Sequence, residues 1–316
     1  MSTAAAIAAA FEPLREFATL DEPLAPFTTY KLGGPAAIMA TPRGEAELLL
    51  VGELARVHSL PLLIVGRGSN LLVADGGFDG IAVSLSAMAD DVAFDDAVVE
   101  AGAAVALPVL SRRCSAAGLV GFEWAVGVPG SIGGAVRMNA GGHGSDMANC
   151  LLVARVVDLR SARSRWLTPD ELGLRFRGSG LADHQVVTTA RLQLEHGDPA
   201  ESEAQLAEIV RWRREHQPGG QNAGSVFVNP VPGEVPAAAL IDRLGLKGRR
   251  VGGAWVSEKH ANFIQAGPDA TAADVRELME IVRAEVAEHT GIVMRSEIRL
   301  IGFADVADDA GVGVLV

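Results

Sequence analysis

The chain has only two cysteines, one tyrosine, a deficit of positive charge and no long apolar run. Cys114 and Cys150 lack metal-ligand spacing, and 316 residues can build a core that needs no disulfide framework. The reducing cytoplasm is therefore the expected compartment. Lys plus Arg number 27 against 39 Asp plus Glu, a formal charge of −12. This argues against a nucleic-acid partner or an anionic membrane surface, since either requires a basic face. Any phosphate ligand must be held locally. No run approaches the roughly 20 apolar residues of a membrane span, and Met1 to Ala10 is Ala-rich but has no basic export region. No internal repeat of fixed period is present, which excludes a solenoid.

An apolar fraction of 49% with 21% charged residues marks a folded chain of two or three compact units. Ala4 to Leu20 reads as a helix with Phe11, Leu14 and Phe17 on one stripe. Short apolar runs bounded by glycine follow at Leu60 to Val65, Ile81 to Leu85, Val98 to Ala101, Leu151 to Leu159 and Val186 to Leu194. These read as strands. Helical patterns at Glu45 to Val57 and Pro108 to Ala117 fall between them, which predicts an α+β fold. Ser202 to His216 is a further helix, stopped by Gln217-Pro218-Gly219-Gly220, the strongest boundary signal in the chain. Beyond it, Ala237 to Leu244 and Thr271 to His289 read as helices. Thr271 with Asp274 three residues on forms a capping signal, Gly291 ends the second helix, and Ile298 to Ile301 reads as a closing strand.

Many of the 36 glycines fall in clusters. Gly66-Arg67-Gly68-Ser69-Asn70 directly follows an apolar strand. Glycines there let backbone N–H groups face a phosphate, and Ser69 and Asn70 add side-chain donors. No Lys-Ser or Lys-Thr closes a P-loop and the third glycine of a dinucleotide fingerprint is absent. Taken alone, this cluster is better read as a tight turn. The second cluster is Gly127-Val128-Pro129-Gly130-Ser131-Ile132-Gly133-Gly134-Ala135, then Met138-Asn139-Ala140-Gly141-Gly142. Each glycine costs about 0.5–1 kcal/mol of chain entropy relative to alanine, so a bound anion or flat ring explains the cluster better than turns do.

Longer segments carry a resemblance. Thr28 to Ala36, Val65 to Leu72, Gly121 to Gly141, Phe176 to Leu181, Ala223 to Pro230, Gly252 to Phe263, Ala270 to Val275 and Ser296 to Gly302 stand in one order from about residue 27 to 302. In these motifs the chain resembles the UDP-N-acetylenolpyruvoylglucosamine reductases, also called UDP-N-acetylmuramate dehydrogenases, of bacterial cell-wall synthesis. The resemblance implies an FAD-binding domain of the vanillyl-alcohol-oxidase type, with two α+β subdomains at 1–85 and 86–200. A smaller C-terminal substrate domain at 201–303 and a flexible tail at 304–316 would follow. It implies non-covalent FAD, NADPH as reductant, a nucleotide-sugar substrate and no metal; a monomer is expected. FAD would be held by Gly66, Arg67, Gly68, Ser69 and Asn70, by Gly127, Val128, Pro129, Gly130, Ser131, Gly133 and Gly134, and by Asn139, Ala140 and Gly141.

The implied chemistry adds a hydride to C3 of an enolpyruvyl ether and a proton to C2. That calls for a cation on the carboxylate, a group sharing the enolic proton and an acid at C2. By the resemblance Arg177 supplies the first, Glu297 the second and Ser225 the third. Without it, Ser225 reads as a turn serine, Arg177 as a surface arginine beside Arg175 and Glu297 as a solvated carboxylate. Arg177, Asn229, His260 and Asn262 are expected to contact substrate, and Arg243, Lys247, Arg249 and Arg250 are candidates for the diphosphate or helix-end charges. His260 reads equally well as a structural histidine, and no second histidine at helical spacing supports a metal site.

Two departures stand out. Val228 occupies the place where many members carry lysine after Gly-Ser-x-Phe. Tyr30 is the sole tyrosine, so the Tyr-bearing loop of one subclass is absent, which implies the subclass without it and a more open substrate site. Phe176 stands where tyrosine is common. A flavoprotein acting on another substrate is a second reading, but an alcohol oxidase needs no carboxylate clamp paired with an acid. A non-catalytic flavin or nucleotide-sugar binder is a third, and it would not need Ser225, Arg177 and Glu297 together.

Overall fold

In the computed structural model, residues 2–231 and 235–303 are described. The expectation of a flexible tail at 304–316 lies outside the described residues. Among the described residues, two larger sheets, a small three-stranded sheet, three two-stranded ladders and the helices packed on them make up the architecture, an α+β arrangement as the element pattern predicts.

Helix α1 runs Thr3–Phe11, shorter than the sequence reading. Pro13 lies within the 3-10 turn Glu12–Leu14, where its ring cannot extend an α-helix, and Ala18–Pro23 is a strand instead. That strand pairs antiparallel with Pro35–Ala40, which pairs parallel with Phe78–Ser84, itself parallel to Leu62–Val65. The crossover from Pro35–Ala40 to Leu62–Val65 is made by α2, Glu45–Val57, whose Leu48, Val51 and Ala55 are buried. This is the spacing that predicts the helix.

The second sheet is antiparallel throughout, in the order Arg163–Leu167, Leu151–Asp158, Gln185–Gln193, Val98–Gly102, Val92–Asp95. Its outer strands were not anticipated because they are largely solvent-facing: Phe94 and Trp166 are exposed, and neither strand has a continuous apolar run. Helices α3 (Leu107–Ala116) and α4 (Ile132–Met138) follow, and one core spans α1, α2, both sheets and these helices. Helix α5, Pro199–His216, buries Leu206 and Ile209 against Val126 in the 3-10 helix Glu123–Gly127 and packs on α3. The expected domain boundary at 201 therefore falls inside a helix that packs on the preceding unit.

The C-terminal part has its own core. Helices α6 (Ala237–Arg243) and α7 (Ala272–Thr290) share it with the small sheet Arg250–Val251, Ala254–Val256, Ile264–Ala266. The capping box at Thr271 and Asp274 and the left-handed Gly291 (φ 71°) form as the sequence predicts. Three devices join this part to the first. Arg299–Ile301 pairs in parallel with Leu71–Val73. Both carboxylate oxygens of Asp75 accept from the first N–H groups of α7, Ala272 at 2.9 Å and Ala273 at 3.0 Å, where the helix dipole favours a negative charge. The sole tyrosine, Tyr30, is fully buried and donates its hydroxyl to the Ile264 carbonyl at 3.1 Å. Burial holds that phenol well above its ordinary pKa, so it stays a neutral donor.

Tyr30→Phe removes the donor and leaves a buried carbonyl without its partner. We expect a loss of about 1–2 kcal/mol in chemical-denaturation midpoints, and an unchanged midpoint would show that the hydroxyl contributes nothing to joining the two parts.

Candidate active site

The loop Gly66–Asn70 leaves the buried strand Leu62–Val65 at the seam between the two large sheets. Gly68 has φ 59°, and a Cβ there would strike the carbonyl of Phe27 and sit 2.6 Å from the Thr28 Cα. Only glycine fits both the conformation and the close approach. The Gly68 carbonyl accepts from the Thr29 N–H at 3.3 Å and its hydroxyl at 3.4 Å, which anchors the loop from behind. Among the described residues, the N–H groups of Arg67, Gly68, Ser69 and Asn70 donate to no protein acceptor. Four consecutive unspent donors form an anion cradle.

The second cluster closes the other side. Gly66 abuts it: a Cβ at 66 would lie 2.7 Å from Ser131 Oγ. Ser131 precedes α4, but the helix N-terminus is largely committed, since Ile132 and Gly133 donate to the carbonyls of Val105 and Ala103, both at 2.9 Å. Gly133 is required because a Cβ would lie 2.8 Å from the Ala103 Cβ of the underlying sheet. The cleft so formed has two connected lobes of about 210 and 290 Å³, together within the size range of cofactor sites, roughly 300–1,000 Å³.

Arg177 reaches the larger lobe from a tight turn in which Arg175 and Gly178 exchange backbone hydrogen bonds of 2.9 and 3.1 Å. Its φ of 55° is in the left-handed region, a strained conformation for a side-chain-bearing residue. The guanidinium lies over the Phe176 ring at 5.0 Å, donates to the Gly141 carbonyl at 3.0 Å and pairs with Glu297 Oε1 at 3.0 Å. Glu297 is fixed by its backbone: its N–H donates to Val226 O at 2.8 Å and its carbonyl accepts from Asn70 Nδ2 at 3.0 Å. Burial raises the Glu297 pKa, opposed by Arg177 and Arg295, and burial prevails. Ser225 follows the left-handed Gly224 (φ 78°), lines the same lobe, and its hydroxyl has no protein partner among the described residues.

Gly66, Arg67, Gly68, Ser69, Asn70, Val128, Pro129, Gly130, Ser131, Gly133, Gly134, Ala140, Gly141, Arg177, Ser225 and Glu297 all line the cleft. Five expected residues do not. Gly127 is buried in its 3-10 helix, packed under Ile209 and Arg213. Asn139 caps α4 in the left-handed region and spends its amide on Ala148 N and Asp146, which aims Ala140 and Gly141 at the cleft. Asn229 accepts from the first N–H of α6, Ala237, at 3.0 Å. Asn262, 3% exposed, accepts from Phe227 N and donates to Phe227 O, so its amide clamps the turn that carries Ser225. His260 lies edge-on to Phe263 and accepts from Asn262 N; burial lowers its pKa, keeping it a neutral acceptor.

Arg137, Asp183, Arg213, Gln217 and Arg299 line the cleft without having been anticipated. Asp183 pairs with Arg137 at 2.6 Å and with Arg299 at 3.4 Å, and burial lowers the Arg137 pKa to about 10. Arg299 opens the strand Arg299–Ile301 two residues after Glu297, inside the motif that carries the carboxylate. The basic run 243–250 lies outside the cleft: Lys247 pairs with Asp242 at 2.8 Å and Arg250 covers Trp255. Both cysteines are free and buried, their thiols pushed up to about 12.

A glycine-lined cradle of unspent N–H donors beside a half-buried arginine–carboxylate pair is an anion-binding cleft, and similarity to known proteins makes it that of a flavoprotein oxidoreductase. Residues 36–166 match the family model described as FAD binding domain, and 216–301 match that described as UDP-N-acetylenolpyruvoylglucosamine reductase, C-terminal domain. The chain is 42% identical over 292 residues to the UDP-N-acetylenolpyruvoylglucosamine reductase of Heliobacterium modesticaldum, covering 92% of each, and 40% identical over 284 residues to that of Bacillus velezensis, covering 89% of this chain and 93% of the relative. It superposes on the crystal structure of UDP-N-acetylenolpyruvylglucosamine reductase from Thermus caldophilus with a TM-score of 0.76 at 34% identity, over 90% of this chain and 98% of that one. The chain belongs to the UDP-N-acetylenolpyruvoylglucosamine reductase family.

Removing the Arg177 charge takes away the first of the two cations that oppose burial at Glu297. Arg177→Met is expected to move the Glu297 titration to still higher pH, read by carbon-13 carboxyl NMR; a downward shift would show that the pair does not control this group.

Proposed function

We propose that this chain reduces UDP-N-acetylglucosamine enolpyruvate to UDP-N-acetylmuramate for bacterial peptidoglycan precursor synthesis, with FAD as cofactor and NADPH as reductant. The observation that carries the reading is the convergence of Ser225, Arg177 and Glu297 on one cleft with the four unspent donors of residues 67–70. The residues fit FAD: a diphosphate finds its donors in that loop, and a flat ring finds an apolar bed of Leu107, Val128, Pro129 and Phe263. Bound there, FAD would supply two-electron hydride chemistry between NADPH and the alkene of the substrate.

The chain's own residues do the rest. Arg177 orients the substrate carboxylate through its planar fork and stabilises the charge that develops on it as electrons move from the alkene. Its Glu297 partner fixes the guanidinium and, with its pKa raised, shares the enolic proton. Ser225 delivers the proton to C2. A serine hydroxyl is a weak acid, so this role depends on the half-enclosed cleft and on the hydroxyl being uncommitted to protein acceptors. Asn262 holds the Ser225 turn, and Asn70 holds Glu297.

The reading takes the chain as a monomeric cytoplasmic enzyme without nucleic-acid or membrane partners. Its deficit of positive charge supports the absence of nucleic-acid and anionic-membrane partners, and among the described residues no helix is long and apolar enough to cross a membrane. It also takes the chain into the subclass without a Tyr-bearing substrate loop, since Tyr30 is engaged with Ile264. The domain division is read as a flavin unit extending through α5 and a substrate unit from the Pro218-Gly219 break.

The purified protein is expected to be yellow, to bleach anaerobically with NADPH and to recover its colour when the enolpyruvyl nucleotide sugar is added. Ser225→Ala should bleach normally while reoxidation by substrate slows by about 10²-fold or more. Absence of flavin, or no reoxidation of the wild-type protein, would overturn the function; equal loss of both half-reactions would remove Ser225 from the acid role.

A further inference from the structure

Beside the Arg177–Glu297 pair lies a further cavity of about 130 Å³, between the turn at 175–179, the end of α4 and the segment that leads into the last strand. Arg137, Arg175, Arg177, Arg295 and Arg299 line it, and among the described residues no carboxylate does. Three of these guanidinium groups are held from outside the cavity. Asp183 takes Arg137 at 2.6 Å and Arg299 at 3.4 Å, and Glu297 takes Arg177 at 3.0 Å. Arg175 and Arg295 enter no ion pair among the described residues; both are exposed, whereas the other three are half-buried. The cavity thus has a fixed floor and a solvated rim. The rim is positioned too: Arg175 exchanges backbone hydrogen bonds with Gly178 and donates a guanidinium N–H to the Ser179 carbonyl, and the Arg295 carbonyl accepts from Val228 N at 3.0 Å. Crowding like charges around one cavity is unfavourable, and an anion bound among them relieves it. Burial and then Arg299 lower the Arg137 pKa in spite of Asp183, which shows that the crowding is felt.

The size and the donors define the ligand. At about 30 Å³ per water the cavity holds about four waters, the bulk of one tetrahedral oxyanion and too little for a nucleotide. A carboxylate brings one charge and two oxygens in a plane, which a single guanidinium fork satisfies. A phosphate monoester brings close to two charges and three free oxygens pointing in different directions, and forks converging from three segments of chain match that shape. We propose that this cavity binds a terminal phosphate group, separately from the diphosphate cradle of residues 67–70. Such a group has two sources. One rests on the function proposed above: of FAD, NADPH and the nucleotide sugar, only NADPH carries a monoester phosphate, the one that distinguishes it from NADH. The other is free inorganic phosphate. Arg137, Arg177 and Arg299 line both this cavity and the larger lobe, so a phosphate held here adjoins the cleft in which reductant and flavin would meet.

The test titrates inorganic phosphate into the full chain by calorimetry at fixed ionic strength, and follows flavin reduction with NADPH and with NADH. Wild type is compared with Arg175→Met, Arg295→Met and Arg249→Met, the last removing one exposed charge outside the cleft. Saturable phosphate binding is expected in wild type and Arg249→Met, weakened about tenfold in each of the other two. If the reductant is the source, Arg175→Met and Arg295→Met also lower the preference for NADPH over NADH by about tenfold, and phosphate competes with NADPH while leaving NADH reduction unchanged. If free phosphate is the source, that preference stays the same in every variant. The proposal is overturned if neither phosphate affinity nor the NADPH preference responds to Arg175→Met and Arg295→Met more than to Arg249→Met. A wild-type chain without flavin would count against the proposed function, while calorimetry would still decide whether the cavity binds phosphate.

Discussion

Residues 70–74 and 296–301 hold each other, and the site depends on that seam. Arg299–Ile301 pairs in parallel with Leu71–Val73, Arg299 N donates to Asn70 O at 3.0 Å, and Asn70 Nδ2 grips the Glu297 carbonyl. One short stretch therefore fixes two things at once. Ahead of Asn70 lies the cradle of unspent N–H groups, and opposite it stands the carboxylate that pairs with Arg177. Glu297 N in turn bonds Val226 O, which sets the backbone next to Ser225. Asp75 on α7 and Tyr30 on Ile264 reinforce the seam from either side.

The cleft is electrostatically uneven. The chain carries a formal charge of −12, yet five arginines line the larger lobe and only some of their charge is matched by Asp183 and Glu297. A protein with too little positive charge to attract anions broadly has concentrated it where an anionic cofactor and substrate would bind. Burial sharpens the effect, since low dielectric strengthens each contact and penalises every charge left unpaired.

Much of this was legible in the sequence, for identifiable reasons. Helices α2 and α7 announced themselves by periodicity and caps, and the first glycine cluster by its place after an apolar strand. Strands Val92–Asp95 and Arg163–Leu167 did not, because an outer strand facing water carries no apolar run. Pro13 ended α1 earlier than the apolar stripe suggested. At the site, Ser225, Arg177 and Glu297 were reached through motif resemblance; their side-chain types alone would have passed as surface residues. Asn262 and Asn229 sit inside the same motifs but are spent on backbone, a distinction that requires knowing which amide faces which carbonyl. Arg213 and Gln217 lay in an ordinary amphipathic helix end, and only the fold reveals that they line the cleft.

The central claim is that the backbone of residues 67–70 holds the cofactor's diphosphate and so sets the ring beside Ser225, Arg177 and Glu297. A crystal structure of the FAD complex measures this directly. The account predicts diphosphate oxygens within about 3 Å of those N–H groups, with the ring in the lobe bounded by Val128, Pro129 and Phe263. A diphosphate bound instead along the basic run 243–250, with the loop N–H groups left to solvent, would contradict it.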